Sequence, residues 1–163
     1  MPRIDFDRLP DDARLWIFAA DRDLTAVEQD RLLAEVDAFI SQWTAHGLPL
    51  QAARDMRYRR FLFIGVDERA AGVSGCSVDA LVRQMKGLEQ ELGVELVNHG
   101  PILFRLNETI DRVTRERFAE LAVMGTVTPE TTVFDNTLRR VGELRSGRWE
   151  TRAGNAWHGR AFF

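Results

Sequence analysis

Two amphipathic helical patterns, each preceded by a short apolar run, constrain the fold of this chain most. Residues 14–20 form the first apolar run and predict a strand that is buried on both faces. Thr25 and Glu28 then have the spacing of a capping box, in which the two side chains satisfy free amide groups at a helix start. Apolar residues follow at helical spacing, and Gly47 with Pro49 predicts the end of this helix.

The second helical pattern follows a predicted strand pair. Residues 50–57 and 60–66 predict these strands, of which the first is more polar and suits a sheet edge. A glycine-bearing loop over residues 70–76 leads into the second helix. Ser77 is the expected N-cap of this helix, and Gly93 is its expected end.

A short fourth strand is predicted at residues 94–97. The resulting order is strand, helix, strand, strand, helix, strand. This order is typical of a ferredoxin-like βαββαβ core in an α+β protein, with an antiparallel sheet and both helices on one face. The predicted core covers residues 13–99.

Residues 100–163 form a C-terminal extension of the core, and a length of 163 residues suits a single domain over 1–163. The extension has a hairpin pattern over 102–106 and 109–113, a short helix capped by Thr114, and a strand over 131–134. Two core strands are apolar on both sides, so that a bare second sheet face would expose a large aromatic patch. We therefore expect the extension to cover the sheet face that the helices leave open.

Composition limits the classes of function. The net charge of −3 argues against general nucleic-acid binding, because such binding depends on neutralisation of phosphates. No apolar stretch approaches the roughly 18 to 20 residues that span a bilayer, and the N-terminus lacks the pattern of a signal peptide. One cysteine cannot form an internal disulfide, so the expected location is the reducing cytoplasm.

The sequence lacks the common phosphate-binding and catalytic motifs. A loop of the G-x-x-x-x-G-K-[ST] type needs a lysine before serine or threonine, and Lys86, the only lysine, has no such neighbour. The G-x-S-x-G, H-E-x-x-H and G-x-G-x-x-G patterns are absent too. No cofactor is therefore expected. His46, His99 and His158 are far apart in the sequence and predict no metal site.

Cys76 is the first candidate for chemistry. It lies at the predicted start of the second helix, where free amide groups and positive potential bind anions or favour a thiolate. Such a thiol also needs a base for nucleophilic or redox chemistry, which His99 or His158 would supply if folding brings it near, and Asp79 or a histidine would orient the thiol. The alternative is a cysteine that packs as a small buried apolar side chain.

The same loop is the candidate anion-binding site, formed by Gly72, Ser74, Gly75 and Ser77. The glycines would let the backbone approach a ligand closely, and the helix start would supply amide groups. The alternative is that the glycines only shape a turn.

The three histidines have different expected roles. His46 directly follows the first predicted helix, where an imidazole hydrogen-bonds the last carbonyl groups and suits the helix dipole. His99 precedes a glycine and a proline and is most simply a turn residue. His158 lies in a tail without a regular pattern, and it is the most ligand-like of the three.

A cluster of arginines introduces RNA binding as an alternative. The arginines around Tyr58 are Arg54, Arg57, Arg59 and Arg60. RNA-recognition domains with ferredoxin-like sheets stack bases on aromatic residues of two strands. The residues that would take this role are Trp16 or Phe18 with Phe61 or Phe63. The arginine-glycine-aromatic spacing of those domains is missing, and a sheet edge protected by charge is the simpler interpretation.

Several segments resemble a family of small bacterial proteins that often carry the label "ABC transporter ATPase". The segments are 42–47, 57–61, 66–68, 74–79, 88–93, 131–134 and 157–158. The resemblance runs through most of the chain and implies a shared fold, but it supplies no established activity. Residues 73–77 are similar to the signature segment of transporter ATPases. The missing phosphate-binding loop nevertheless argues against ATPase activity.

These residues together predict a cytoplasmic binding, regulatory or assembly module that contacts a protein partner or a small anionic ligand, with a homodimer as one option. One alternative is a small enzyme or redox protein that uses Cys76, and another is an RNA-binding ferredoxin-like module. An enzyme predicts an exposed Cys76 with an imidazole within hydrogen-bond reach. A binding module predicts a buried Cys76 and an apolar patch or dimer interface elsewhere.

Overall fold

The computed structural model describes residues 4–163 and has an α+β architecture with antiparallel sheets and five α-helices in this range. The described chain forms two compact units. Unit 1 contains residues 4–97 together with Arg139–Gly142, and unit 2 contains Asn98–Leu138 together with Glu143–Phe163. The single domain over 1–163 stays a prediction.

Unit 1 has a three-stranded antiparallel sheet with two helices on one face. Its elements are β1 (Arg14–Ala19), α1 (Ala26–Gln42), β2 (Thr44–Ala45), β3 (Leu48–Pro49), β4 (Gln51–Arg57), β5 (Phe61–Asp67) and α2 (Gly75–Leu92). The strand order is β1-β5-β4, and β2 and β3 form a separate hairpin. The sequence predictions for β1, β4 and β5 are confirmed to within one residue at each end.

The central strand β5 is buried along its whole length because both sheet faces are covered. Leu62, Ile64 and Val66 share one core with the apolar residues of α1 and α2. The alternate residues point to the opposite face, as the period of a strand requires. On that face a Cβ added at Gly65 would lie 2.4 Å from Cδ1 of Leu9, so glycine permits a close approach there. That the C-terminal extension covers the rest of this face stays a prediction.

The predicted fourth strand at residues 94–97 is wrong, because these residues form no strand. Their polar groups have other partners: the amides of Leu96 and Val97 donate to Oε2 of Glu89 at 2.6 and 2.9 Å. The outer edge of β1 pairs instead with a distant segment of unit 1. There Leu15 N donates to the carbonyl of Arg139 at 2.9 Å.

The first helix begins as predicted and ends earlier than predicted. Thr25 Oγ1 accepts a hydrogen bond from Glu28 N at 3.1 Å, and Thr25 N donates to Glu28 Oε1 at 2.9 Å. The predicted end at Gly47 is wrong, because α1 ends at Gln42 and a hairpin follows directly. His46 and Gly47 form the turn of this hairpin with φ of 52° and 75°, so the predicted role of His46 at a helix end is wrong.

Unit 2 has a four-stranded antiparallel sheet with the order β7-β6-β8-β9. Its elements are β6 (Ile102–Leu106), β7 (Thr109–Val113), α3 (Arg115–Val123), β8 (Thr132–Phe134), α4 (Val141–Arg145, which begins in unit 1), β9 (Glu150–Arg152) and α5 (Trp157–Phe162). The predicted hairpin, helix cap and strand are confirmed, with Thr114 Oγ1 accepting from Arg117 N at 3.1 Å. The tail for which no element was predicted forms α4, β9 and α5.

The core of unit 2 lies between its sheet and the helices α3 and α5. Phe118 of α3 is fully buried and contacts Phe104 of β6, with ring centroids 5.3 Å apart. Phe162 of α5 packs on the same ring at 4.9 Å. This aromatic cluster fixes α5 and therefore the residues beside it.

Candidate functional site

The loop before α2 brings together six of the residues predicted to form a site: Gly72, Ser74, Gly75, Cys76, Ser77 and Asp79. Ser74 is the N-cap of α2, and its Oγ accepts from Ser77 N at 3.1 Å. Ser77 Oγ in turn accepts from Ser74 N at 2.7 Å. The prediction of Ser77 as the N-cap is therefore wrong, because the two hydroxyls form a reciprocal capping box with Ser77 in the first turn.

The geometry of this loop does not favour an anion. Glu68 Oε2 accepts a hydrogen bond from Val73 N at 3.1 Å, so a carboxylate of the chain itself already lies against the loop backbone. A Cβ at Gly72 would lie 3.2 Å from the same oxygen, whereas a Cβ at Gly75 would meet no atom within 4 Å. Ser77 is buried. The predicted anion site at this loop stays a prediction.

Cys76 is exposed, so the interpretation of a buried apolar cysteine is wrong. Its thiol makes no hydrogen bond within the described residues, and Asp79 is exposed as well. His158, the third predicted catalytic residue, belongs to unit 2. Cys76 and Asp79 belong to unit 1, so no contact inside a single unit joins all three side chains.

Unit 2 contains a cleft of about 860 Å³, which falls within the range of small-molecule sites. Its walls come from the turn after β8, from α4 and from the segment that includes α5. The polar lining residues are Asp135, Thr137, Glu143, Arg148, Asn155 and Arg160. Apolar parts of the wall come from Leu138, Trp157 and Phe163.

Asp135 is the most buried acid of this cleft, with 8 % of its surface exposed. It directly follows β8, and its backbone N donates to the carbonyl of Trp149 at 2.7 Å. Its Oδ1 accepts from the backbone N and the Oγ1 of Thr137 at 3.0 and 2.5 Å. This is an Asx turn, which holds the carboxylate in place. Within the described residues Oδ2 accepts no hydrogen bond.

The two arginines of the cleft differ in their partners. Arg148 Nη1 lies 3.3 Å from Glu143 Oε2, so these two charges largely neutralise each other. Arg160, on α5, is exposed and forms no ion pair with any residue from 4 to 163. The unpaired charges of the cleft are therefore the guanidinium of Arg160 and the carboxylate of Asp135.

His158, between the lining residues Trp157 and Gly159, is buried, with 1 % of its surface exposed. Its ring stacks on Trp157 at a centroid distance of 4.1 Å, and the edge of Phe118 lies 6.3 Å away. Burial lowers the pKa of His158 to about 4; Asp135 opposes this shift, and Arg115 adds to it. The imidazole is therefore neutral at neutral pH.

Nδ1 of His158 is buried without a hydrogen-bond partner. A buried polar atom without a partner costs about 1–3 kcal/mol, and such atoms are rare in folded proteins. The sequence singled out His158 as ligand-like, and its chain neighbours Trp157 and Gly159 do line the cleft. Its predicted catalytic role stays a prediction.

The sequence missed Asp135, Thr137, Arg148 and Arg160. Asp135 and Thr137 have the spacing of an Asx turn, which occurs in many loops and predicts no ligand. The arginines are two among many, and the chain separates Asp135 from Arg160 by most of the C-terminal tail. Only the packing of α5 beside the β8 turn places both charges on one cleft.

The aromatic residues required by the RNA-binding alternative are not available for stacking. Phe18, Phe61 and Phe63 are buried in unit 1. Trp16 packs edge-on against Trp43, with ring centroids 5.9 Å apart. The two strands therefore present no row of exposed rings to a nucleic acid.

Two further features are absent from residues 4–163. No group of three or more His, Cys, Asp or Glu side chains in this range is placed to hold a metal ion. None of the described helices has both the length and the apolar character that crossing a membrane requires.

Comparisons of the chain with protein-family models, with curated proteins and with solved structures found no match. The geometry of the unit 2 cleft alone therefore defines the candidate site.

Proposed function

We propose that this chain is a non-enzymatic binding module that takes a small ligand with an acidic group in the unit 2 cleft. The observation that carries the proposal is Arg160: a cation without an ion pair among the described residues, on the wall of a ligand-sized concave cleft. A guanidinium recognises carboxylate and phosphate groups with paired, charge-assisted hydrogen bonds. The apolar wall would contact the rest of the ligand.

Binding accounts for the cleft better than catalysis does. The imidazole of His158 is buried among aromatic residues and does not line the cleft. Of the two carboxylates that do line it, Asp135 is held by Thr137 and Glu143 pairs with Arg148. The alternative of a Cys76-dependent enzyme requires a base in contact with the thiol, and the described residues supply none by hydrogen bond. The exposed thiol satisfies the first half of that alternative, and it contradicts the buried Cys76 that was expected of a binding module.

Two finer expectations remain part of the proposal. We propose that unit 1 is a variant of the ferredoxin-like core, since its strand order and its two helices on one face agree with that fold. In this variant, residues 139–141 take part of the sheet edge that a fourth strand would occupy. The cytoplasm remains the proposed location, because a single cysteine cannot form an internal disulfide and suits a reducing compartment.

The binding proposal is tested by thermal unfolding with matched probes. Benzoate and inorganic phosphate carry the acidic group, and benzamide is the neutral counterpart of benzoate. At a probe concentration ten times its Kd, binding stabilises the folded state by about 1.4 kcal/mol, which raises the Tm by roughly 3–6 °C. We expect this shift with at least one acid and not with benzamide.

Two arginine variants test whether the Tm shift depends on Arg160. Arg160→Gln should abolish the shift. Arg152→Gln is the matched control, because Arg152 also lies in unit 2 but pairs with Glu130 at 2.9 Å on the surface, and neither residue lines the cleft. The proposal is wrong if binding persists in Arg160→Gln, or if no ligand with an acidic group, neither these two acids nor an amino acid, binds at millimolar concentration.

A further inference from the structure

We infer that the ligand of the unit 2 cleft is a zwitterion of the amino-acid type, with an ammonium group that binds Asp135, an acid that binds Arg160 and an apolar side chain. This inference rests on the proposed function and deepens it. It starts from the two unpaired charges of the cleft, which have opposite signs.

The carboxylate of Asp135 needs a second partner. It is 8 % exposed, and a buried charge is costly unless it is paired and hydrogen-bonded. Thr137 supplies two donors, but both bind Oδ1. The residue lines the cleft, so a ligand with an N–H donor would satisfy Oδ2. An ammonium group would also neutralise the charge.

The charges around Asp135 favour a ligand that brings its own cation. Arg148 is engaged by Glu143 at 3.3 Å, and no ion pair joins Arg160 to Asp135. A ligand with only an acidic group would satisfy Arg160 and leave the carboxylate unpaired. A ligand with only an ammonium group would do the reverse. A zwitterion satisfies both.

The apolar wall defines the rest of the ligand. Leu138 is buried, and Trp157 and Phe163 line the same cleft. A cleft of about 860 Å³ exceeds what an ammonium and a carboxylate alone would fill. An apolar or aromatic side chain would cover this wall, and the hydrophobic gain is about 25 cal/mol per Å² buried.

The test uses one chemical series measured by isothermal titration calorimetry on the full chain. L-phenylalanine carries both charges, N-acetyl-L-phenylalanine only the acid and L-phenylalanine amide only the ammonium group; the leucine series repeats this with a smaller side chain. We expect one of the two zwitterions to bind at least about tenfold more tightly than either of its singly charged analogues, as the loss of one charge-assisted hydrogen bond implies.

Asp135→Asn removes the negative charge of this side chain and keeps its size. Asparagine keeps an acceptor oxygen for the Asx turn, so the fold should persist, which circular dichroism and the Tm check. We expect this variant to bind the zwitterion about tenfold more weakly and the N-acetyl analogue at least as tightly as the unmodified chain does, because the substitution also removes a like charge from the cleft. Arg160→Gln should weaken both, and Arg152→Gln should weaken neither.

The outcomes separate the two proposals. If the N-acetyl analogues bind as tightly as the zwitterions, or if Asp135→Asn leaves zwitterion affinity unchanged, this inference is wrong while acid binding at Arg160 stands. If benzoate or phosphate binds and neither zwitterion does, the inference is likewise wrong. If no acidic probe binds at all, both proposals fall.

Discussion

His158 couples the stability of unit 2 to pH, because its imidazole is buried in an aromatic cluster. Its pKa is lowered by burial from 6.5 to about 4. When the pH falls below 6.5, the imidazole of the unfolded chain takes a proton while the folded one stays neutral, so acid favours unfolding. The pKa of His158 is 6.5 in the unfolded chain and about 4 in the folded chain. Each pH unit between these two values costs up to 1.36 kcal/mol, so the chain loses roughly 3 kcal/mol of stability once the pH has fallen to 4.

Between about pH 7.5 and pH 5, the change in stability reports on His158 and not on the carboxylates whose pKa is lowered in the folded chain. The hydrogen bond from Arg22 lowers the pKa of Glu28 to about 2, from an ordinary value of 4.5. The hydrogen bond from Arg69 likewise lowers the pKa of Asp67, from 3.8. A lowered carboxylate pKa contributes stability that is lost mainly below the ordinary value, hence below this interval. Between pH 6.5 and pH 5, protonation of the His158 imidazole in the unfolded chain accounts for a loss of about 2 kcal/mol in the free energy of unfolding.

The perturbation is His158→Phe, compared with the unmodified chain at both pH values. Phenylalanine keeps an aromatic ring beside Trp157 and removes the unpartnered Nδ1, so we expect equal or higher stability at pH 7.5, by about 1 kcal/mol. The acid-dependent loss should vanish. His46→Asn is the control, because His46 is exposed in a turn with φ of 52° that asparagine tolerates.

The assay is urea denaturation, followed by hydrogen exchange of peptides from unit 2 so that the two units are read separately. The unmodified chain and His46→Asn should lose about 2 kcal/mol more than His158→Phe between the two pH values. An equal pH dependence in His158→Phe would refute the reasoning. So would a marked destabilisation by this variant at pH 7.5, because it would show that the imidazole makes a favourable polar contact.

Three further predictions concern unit 1. Gly65→Ala should lower the free energy of unfolding by about 1–3 kcal/mol in urea denaturation, because the new Cβ would meet Leu9 at 2.4 Å; an unchanged midpoint would contradict this packing. Thr25→Ala should cost about 1 kcal/mol by loss of the capping box with Glu28, whereas Thr25→Ser should cost less; equal losses would show that the hydroxyl is not the cause. Cys76 should react with a thiol reagent in the native protein about as fast as in the denatured chain, because it is exposed; protection until unfolding would contradict that placement.

Local signals were sufficient for much of the fold. The capping box of Thr25 and Glu28, the apolar run of β5 and the hairpin turn at Asn107, with φ of 59°, depend on residues within a few positions of each other. The periods of strands and helices are equally local. Short elements escaped prediction for the same reason: β9 and α5 contain three and six residues, too few to show a period.

The start of α2 shows the limit of local reasoning. Ser74 and Ser77 each have the side-chain chemistry of an N-cap, and only Ser77 was predicted to take that role. In the folded chain both hydroxyls take part, so the helix begins one turn earlier than predicted. The glycines and the thiol of this loop were the reason for predicting an anion site there. In the folded chain the carboxylate of Glu68 already accepts a hydrogen bond from the loop backbone.

The sequence predicted neither of the two charged residues that define the candidate site. His158 was the residue that the sequence singled out in unit 2, because no regular pattern explained it. Asp135 and Arg160 carry no signal of their own, and their opposite charges meet on one cleft only through the packing of α5.

The sequence by itself therefore determined the α+β class, the two long helices and the strands whose apolar runs are continuous. Tertiary structure decided which edge of β1 is paired, why residues 94–97 form no strand and where the two unpaired charges lie. The physical reason is that periodicity and capping act between near neighbours, whereas a hydrogen-bond donor or a charge takes whichever partner the folded chain places beside it. Leu96 and Val97 bind the carboxylate of Glu89, and no pattern in their own segment specifies that choice.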